Sequence, residues 1–230
     1  ALEEGRVRVR VHSGIELKEV EALNILVEIP GSRTDEIMLF VSHFDAWSVA
    51  PGLANSTEEA LSTAALIELM KLLVKHRPLR TAWILFTSGH WSGLAGPREF
   101  VRRAVLGNPE LTSGRRIVWY VIGVDISADH PTVSLVYVGH FYAVGRPFIT
   151  TKFFWIQNRV TALYARLVGE YLNETGLPSH PGLRHAMEIT GLIRAQDLTH
   201  GPDFAWSGTM AWPYVLDTEP FVVAGMAGFT

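Results

Sequence analysis

Histidine and aspartate residues stand where apolar segments of the sequence end. His43 and Asp45 follow one apolar run, and His90 follows a second. A third apolar run ends at Asp125. The chain has no cysteine, so any metal would have to be bound by His, Asp or Glu. These residue types predict metal binding or acid–base chemistry, provided that the fold brings the ends of the three runs together.

The segments around these residues alternate between strand and helix patterns. A long helical pattern opens at Thr57, and its predicted inward residues are Leu61, Ala64, Ala65, Ile67, Leu69 and Leu72. The alternation predicts an α/β domain with a mixed, largely parallel twisted sheet and helices on both faces, with functional residues at the carboxyl ends of strands. The other predicted helices are Pro97–Val105 and Arg159–Leu172, and the predicted strands are Arg6–His12, Asn24–Ile29, Ile37–Ser42, Thr81–Thr87, Ile117–Ile126 and Val133–Val138.

Composition narrows the class of protein. The 230 residues are 48% hydrophobic and 19% charged, enough apolar material for one large domain. The net charge is −3 and the basic residues are scattered, so nucleic acid is not an expected partner. No apolar run reaches the roughly 20 residues of a membrane span, and no signal peptide opens the chain. These features predict a soluble protein, and the sequence does not indicate its compartment. The two glutamines and the many arginines fit a thermophile or a GC-rich genome equally well.

The most specific pattern is the stretch 24–32, which leads into 42–49 and the dipeptide Pro51-Gly52. It resembles the co-catalytic zinc aminopeptidase family, particularly the branch of glutamate carboxypeptidase II and the transferrin receptor. The resemblance runs from about Val7 to Thr230. It implies a zinc-aminopeptidase-like α/β domain over 21–230 that is truncated at its C-terminus. Residues 1–20 would be the tail of a truncated upstream domain of the protease-associated type.

The resemblance also implies roles for the first cluster. In the family, the histidine of a His-x-Asp pair binds zinc and the aspartate orients that histidine. His43 and Asp45 match these two positions. The family places an aspartate that bridges two zinc ions about twelve residues later, where this chain has Asn55. A neutral amide bridges two dications poorly, so a stable pair of zinc ions is not expected.

The second cluster departs further from the family pattern. A Glu-Glu pair supplies the family's general base and a ligand of its second zinc, and the matching residues here are His90 and Trp91. Imidazole can accept a proton, but indole cannot bind zinc. Asp125 matches the aspartate that completes the first zinc site. The family's last ligand, a histidine, should lie beyond a segment resembling 217–226, and the chain stops at Thr230.

Two hypotheses follow from these matches. The first is a degenerate zinc-aminopeptidase-like domain that serves as a binding or assembly module, with a second copy of itself or a peptide or protein ligand as partner. The second is an aminopeptidase or amide hydrolase with a rearranged metal site of His43, Asp125 and His90. The expected cofactor is accordingly none, or a single weakly bound Zn²⁺. A damaged gene is a third possibility, and taken alone, His90-Trp91 is also typical of a loop pair that only fills space.

Overall fold

The computed structural model describes residues 19–48, 57–126 and 215–230, together with positions 10, 14, 159, 163, 166 and 170. The predicted strands Arg6–His12 and Val133–Val138, Asn55 and most of the predicted helix Arg159–Leu172 lie outside the described residues.

Five strands and four α-helices have both ends within the described residues, and the described positions 159, 163, 166 and 170 are helical as well. The strands are β1 (Ile25–Ile29), β2 (Arg33–His43), β3 (Arg80–Thr87), β4 (Ile117–Gly123) and β5 (Gly228–Phe229). The helices are α1 (Thr57–Lys75), α2 (Ala95–Phe100), α3 (Pro109–Thr112) and α4 (Glu219–Val223), and a π-helical segment, Val101–Val105, continues α2.

The strands form a single sheet in the order β1-β3-β2-β4-β5. β1 runs antiparallel to β3, whereas β2 is parallel to both β3 and β4, and β4 is parallel to β5. The last residue of β2, His43, pairs with the last residue of β3, Thr87. The carboxyl ends of these two strands are therefore level, and whatever follows them meets at one edge of the sheet.

Helices cover both faces of the sheet. Alternate residues of the central strands point to opposite sides, so each face has its own set of packing residues. Leu39, Val41 and Leu85 pack on one side against Phe100 of α2 and Phe221 of α4. On the other side, the buried residues Ala82, Ile84 and Phe86 pack with Leu66 of α1. The predicted mixed, largely parallel sheet with helices on both faces is confirmed.

The inward face predicted for α1 was right for Leu69, which packs against the core, but wrong for most of the other predicted residues. Leu61, Ile67 and Leu72 are exposed, while Leu66 is 1% exposed. The helix instead packs through Leu66 and its neighbours at helical spacing, Leu69, Met70 and Leu73. Apolar residues surround almost the whole circumference of α1, so periodicity alone does not select one face.

Several predicted boundaries also shift, three of them by two residues or more. β2 begins at Arg33 rather than Ile37, and β4 ends at Gly123 rather than Ile126. The predicted helix Pro97–Val105 starts earlier, at Ala95, and changes to π geometry after Phe100. The last residue of β4 has to be a glycine, because a Cβ at position 123 would collide with the side chain of Thr230.

Candidate functional site

Three separate segments deliver side chains to the carboxyl edge of the sheet. His43 is the last residue of β2, and its side chain is buried. His90 lies in the turn between β3 and α2, directly after Gly89, which has a φ of +70° that favours glycine. Asp217 lies in a turn just before α4. All three are less than 7% exposed.

Asp217 bonds both histidines at once. Its Oδ2 atom lies 2.8 Å from Nδ1 of His43, and its Oδ1 atom lies 3.0 Å from Nδ1 of His90. The hydroxyl of Thr87 also donates to Oδ1, at 3.5 Å. An ionised carboxylate only accepts hydrogen bonds, so both imidazoles present an Nδ1–H group to it. We call His43, Asp217 and His90 the His–Asp–His cluster.

Aromatic contacts pack the cluster from the side. The rings of His43 and His90 stack with centroids 3.8 Å apart. Trp91 stands edge-on to both rings, with centroid distances of 6.2 Å to His43 and 4.8 Å to His90. Trp91 is 51% exposed, whereas the two histidines that it contacts are buried. Trp47, also exposed, lies 6.4 Å from Trp91.

Asp45, the expected orienting partner of His43, has a different contact. Its carboxylate accepts hydrogen bonds from the backbone N–H groups of Gly89, at 3.0 Å, and His90, at 3.2 Å. It therefore fixes the backbone turn that carries His90, while the carboxylate on His43 comes from Asp217. The His-x-Asp pair couples the end of β2 to the β3–α2 turn.

The electrostatics of the cluster favour an ion pair. Burial lowers the pKa of His43, but the hydrogen bond and charge of Asp217, together with the charges of Asp125 and Asp45, outweigh burial and leave that pKa raised. For Asp217, burial raises the pKa, but hydrogen bonds from His43 and His90 outweigh it and leave that pKa lowered. An imidazolium and a carboxylate thus stabilise each other in a desolvated place.

The remaining predicted site residues are more loosely connected to the cluster. Asp125 follows β4 at the same edge of the sheet and is exposed, and its negative charge helps to raise the pKa of His43. The predicted single-metal set of His43, Asp125 and His90 is not the set that converges. Within the described residues, the donors that converge are those of His43, His90 and Asp217, all within 4.8 Å of one another.

Asp217 was missed as a site residue by sequence reasoning. It lies 174 residues from His43 and 127 residues from His90, so no local spacing connects it to either. The only signal was its place in the segment 217–226, which resembles a segment of the family.

The fold and the position of the site define the class of protein. A mixed, largely parallel sheet with helices on both faces and polar residues at the carboxyl ends of its strands is the architecture of an α/β protein whose site lies at that edge. The sequence pattern of peptidase family M28 matches residues 24–141, more than half of the chain. The chain belongs to peptidase family M28.

Two curated relatives share part of this region. The vacuolar membrane protease of Schizophyllum commune is 38% identical over 82 residues, which cover 35% of this chain and 9% of that protein. The vacuolar membrane protease of Laccaria bicolor is 36% identical over 84 residues, covering 36% of this chain and 8% of that protein. The match therefore spans less than a tenth of either relative. Across the described residues, no helix is both long and apolar enough to cross a membrane.

Solved structures agree on the fold. A glutaminyl cyclase of Macrostomum lignano superimposes with a TM-score of 0.55 at 14% identity, over 89% of this chain and 58% of that one. A glutaminyl cyclase of an Acidobacteriales bacterium gives a TM-score of 0.50 at 15% identity, over 90% of this chain and 57% of that one. At such identities the likeness concerns the fold alone.

Proposed function

We propose that this chain is a degenerate M28 domain that acts as a non-catalytic binding or assembly module. The observation that carries the proposal is the burial of His90, which occupies the position at which the resemblance places a general base. Its bond to Asp217 through Nδ1 leaves Nε2 able to accept a proton, but the residue is only 4% exposed, and its ring is stacked on His43 and packed edge-on against Trp91. An imidazole enclosed in this way is badly placed to reach a metal-bound water and its substrate.

Charge at the neighbouring position supports the same proposal. Two zinc ions about 3.5–4 Å apart require anionic ligands between and beside them. Trp91 occupies the position of one such ligand, and its indole offers an N–H donor but no lone pair for a metal. The donors at the matched positions therefore do not fit a pair of zinc ions, and no reaction step is assigned to such a pair.

The exposed aromatic side chains suggest where a partner would bind. Phe44, Trp47 and Trp91 are 41%, 63% and 51% exposed and follow the ends of β2 and β3. Exposed aromatic groups are enriched where proteins contact peptides or other proteins. A second copy of the chain or an extended peptide segment is the partner class that we propose for this aromatic rim.

The test of the proposal is turnover of aminoacyl-4-nitroanilides by the purified chain with added Zn²⁺ or Co²⁺. We expect no release of nitroaniline above the rate of a His43→Ala variant, which controls for contaminating peptidases. Turnover that His43→Ala abolishes, in a variant that keeps the wild-type circular dichroism spectrum, would refute the proposal. Light scattering after size exclusion, comparing wild type with Trp47→Ser, tests self-association through the aromatic rim.

One observation favours a second candidate, an amide hydrolase with a single metal ion. Two imidazoles and a carboxylate converge in the His–Asp–His cluster, and two histidines with one carboxylate are a ligand set of single-zinc hydrolases. The burial of all three donors argues against this candidate, since a catalytic zinc keeps one position open to water and substrate. The nitroanilide assay separates the two candidates.

A further inference from the structure

We infer that the His–Asp–His cluster binds one divalent transition-metal ion of the zinc type, which joins β2, the β3–α2 turn and the segment before α4. This site is distinct from the one that the resemblance implies, since of its donors only His43 belongs to that set. The inference does not depend on whether the domain hydrolyses anything.

The spacing of the donors is close to what a tetrahedral ion needs. Zinc bonds to nitrogen and oxygen are about 2.0–2.2 Å long, which places neighbouring ligands of a tetrahedron about 3.3 Å apart. In the cluster, the Asp217 oxygens lie 2.8 Å from Nδ1 of His43 and 3.0 Å from Nδ1 of His90. If the two imidazoles moved away from the Asp217 carboxylate by a few tenths of an ångström, the ion could take the place of the hydrogen-bonding protons.

The donor types select the kind of ion. Imidazole nitrogen suits Zn²⁺, Co²⁺ and similar ions, whereas Mg²⁺ and Ca²⁺ prefer oxygen ligands. Asp217 directs one oxygen toward each histidine, so a bidentate carboxylate would complete four donors. The geometry would be distorted from a regular tetrahedron, because the two oxygens of one carboxylate lie closer together than two corners of a tetrahedron. Its negative charge also offsets half of the charge of the ion in a desolvated place.

Neighbouring groups hold the ligands in position before the ion arrives. Thr87 donates to the Asp217 carboxylate, and Asp45 holds the backbone of His90. Such outer partners orient ligands and raise affinity. Burial of all three ligand side chains is typical of a closed structural site, which agrees with a domain that has lost catalysis.

Titration of the metal-free chain with Zn²⁺ by calorimetry, and with Co²⁺ by visible absorption, tests the inference. We expect about one ion per chain and the visible absorption of four-coordinate Co²⁺. His90→Gln keeps a hydrogen-bond donor beside Asp217 but removes the imidazole, and Asp217→Asn removes the charge. Either change should weaken Zn²⁺ binding by about 100-fold or more, because loss of even an outer partner costs about 10- to 100-fold.

His76→Gln is the matched control, since His76 is an exposed histidine just beyond the far end of α1. It should leave the affinity unchanged. Absence of binding, or binding that His90→Gln and Asp217→Asn leave intact, would overturn the inference. NMR spectra of the side-chain nitrogen atoms of histidine in the wild-type chain give a check that needs no variant. Added Zn²⁺ should shift the resonances of two of the nine histidines, and a spectrum in which no resonance shifts would count against the site.

The outcomes also separate this inference from the proposed function. Stoichiometric Zn²⁺ binding without nitroanilide turnover supports both. Binding together with turnover that His43→Ala abolishes keeps the metal site and refutes the non-catalytic role. Failure to bind overturns the metal site alone.

Discussion

The imidazole of His43 stacks on the imidazole of His90, with ring centroids 3.8 Å apart and ring planes inclined by 23°. Two positive charges at this distance would repel each other strongly in a buried place, so one of the two rings at most carries the extra proton. Asp217 bonds both rings and balances that proton. The three side chains therefore form one unit, and substitutions within it should not be additive.

Removing the shared carboxylate should destabilise the fold. Asp217→Ala leaves two buried imidazoles without the acceptor for their Nδ1–H groups, and loss of one partner of a buried ion pair costs about 3–5 kcal/mol. Urea unfolding followed by circular dichroism at pH 6 measures the free energy of unfolding. Glu68→Ala breaks an exposed ion pair with Lys71 and should change it by less than about 0.5 kcal/mol. Equal effects of the two variants would contradict the role of the cluster.

The pH dependence of stability should carry the signature of the same pair. The pKa of His43 is raised on folding, so its contribution is complete below the ordinary value of 6.5 and is lost as the pH rises through the folded pKa. The pKa of Asp217 is lowered on folding, so its contribution is complete above the ordinary value of 3.8 and is lost as the pH falls through the folded pKa. Both contributions are present in full only between these two values.

The measurement is urea unfolding of the wild type and of Asp217→Asn across that range of pH. The difference in the free energy of unfolding between the two should be largest between about pH 4 and 6.5 and should shrink on either side. A difference that keeps the same size from acid to alkaline pH would mean that the carboxylate acts through packing rather than through its charge.

The sheet could be predicted from the sequence because its central strands are continuous apolar runs. β3 is buried almost throughout, and such a run between turn residues is typical of a strand covered on both faces. The placement of His43 and His90 at one edge followed from the parallel order of β2 and β3. The partner of both histidines could not be predicted, because Asp217 reaches them only through the packing of α4 and β5 beside β4.

The orientation of α1 offers a matched pair of substitutions. Leu66 is 1% exposed and packs against Ile84 and Phe86, whereas Leu72 on the same helix is 58% exposed. Leu66→Ala should lower the free energy of unfolding by about 2–5 kcal/mol, because it opens a cavity beneath the sheet. Leu72→Ala should change it by less than about 1 kcal/mol. Comparable losses for both leucines would contradict this orientation of α1.

A single methyl group should disturb the turn that carries His90. Gly96 in α2 lies so close to the backbone of Ser88 that a Cβ there would collide with the Ser88 carbonyl oxygen, and it would also lie 2.7 Å from Oδ1 of Asn24. Asn24 in turn donates to the carbonyl of Gly96 at 2.8 Å, so the contact has little room to relax.

Gly96→Ala should therefore lower the free energy of unfolding by about 1–3 kcal/mol, the usual cost of forcing an extra carbon into packed structure. Because Ser88 and Gly89 lead directly into His90, the substitution should also shift the side-chain nitrogen resonances of His90 and His43. Gly14→Ala is the control, since a Cβ at Gly14 meets nothing within 4 Å. If Gly96→Ala destabilised the chain and left both histidine resonances in place, the turn would have to adjust without moving the cluster, which the close approach of Ser88 to Gly96 argues against.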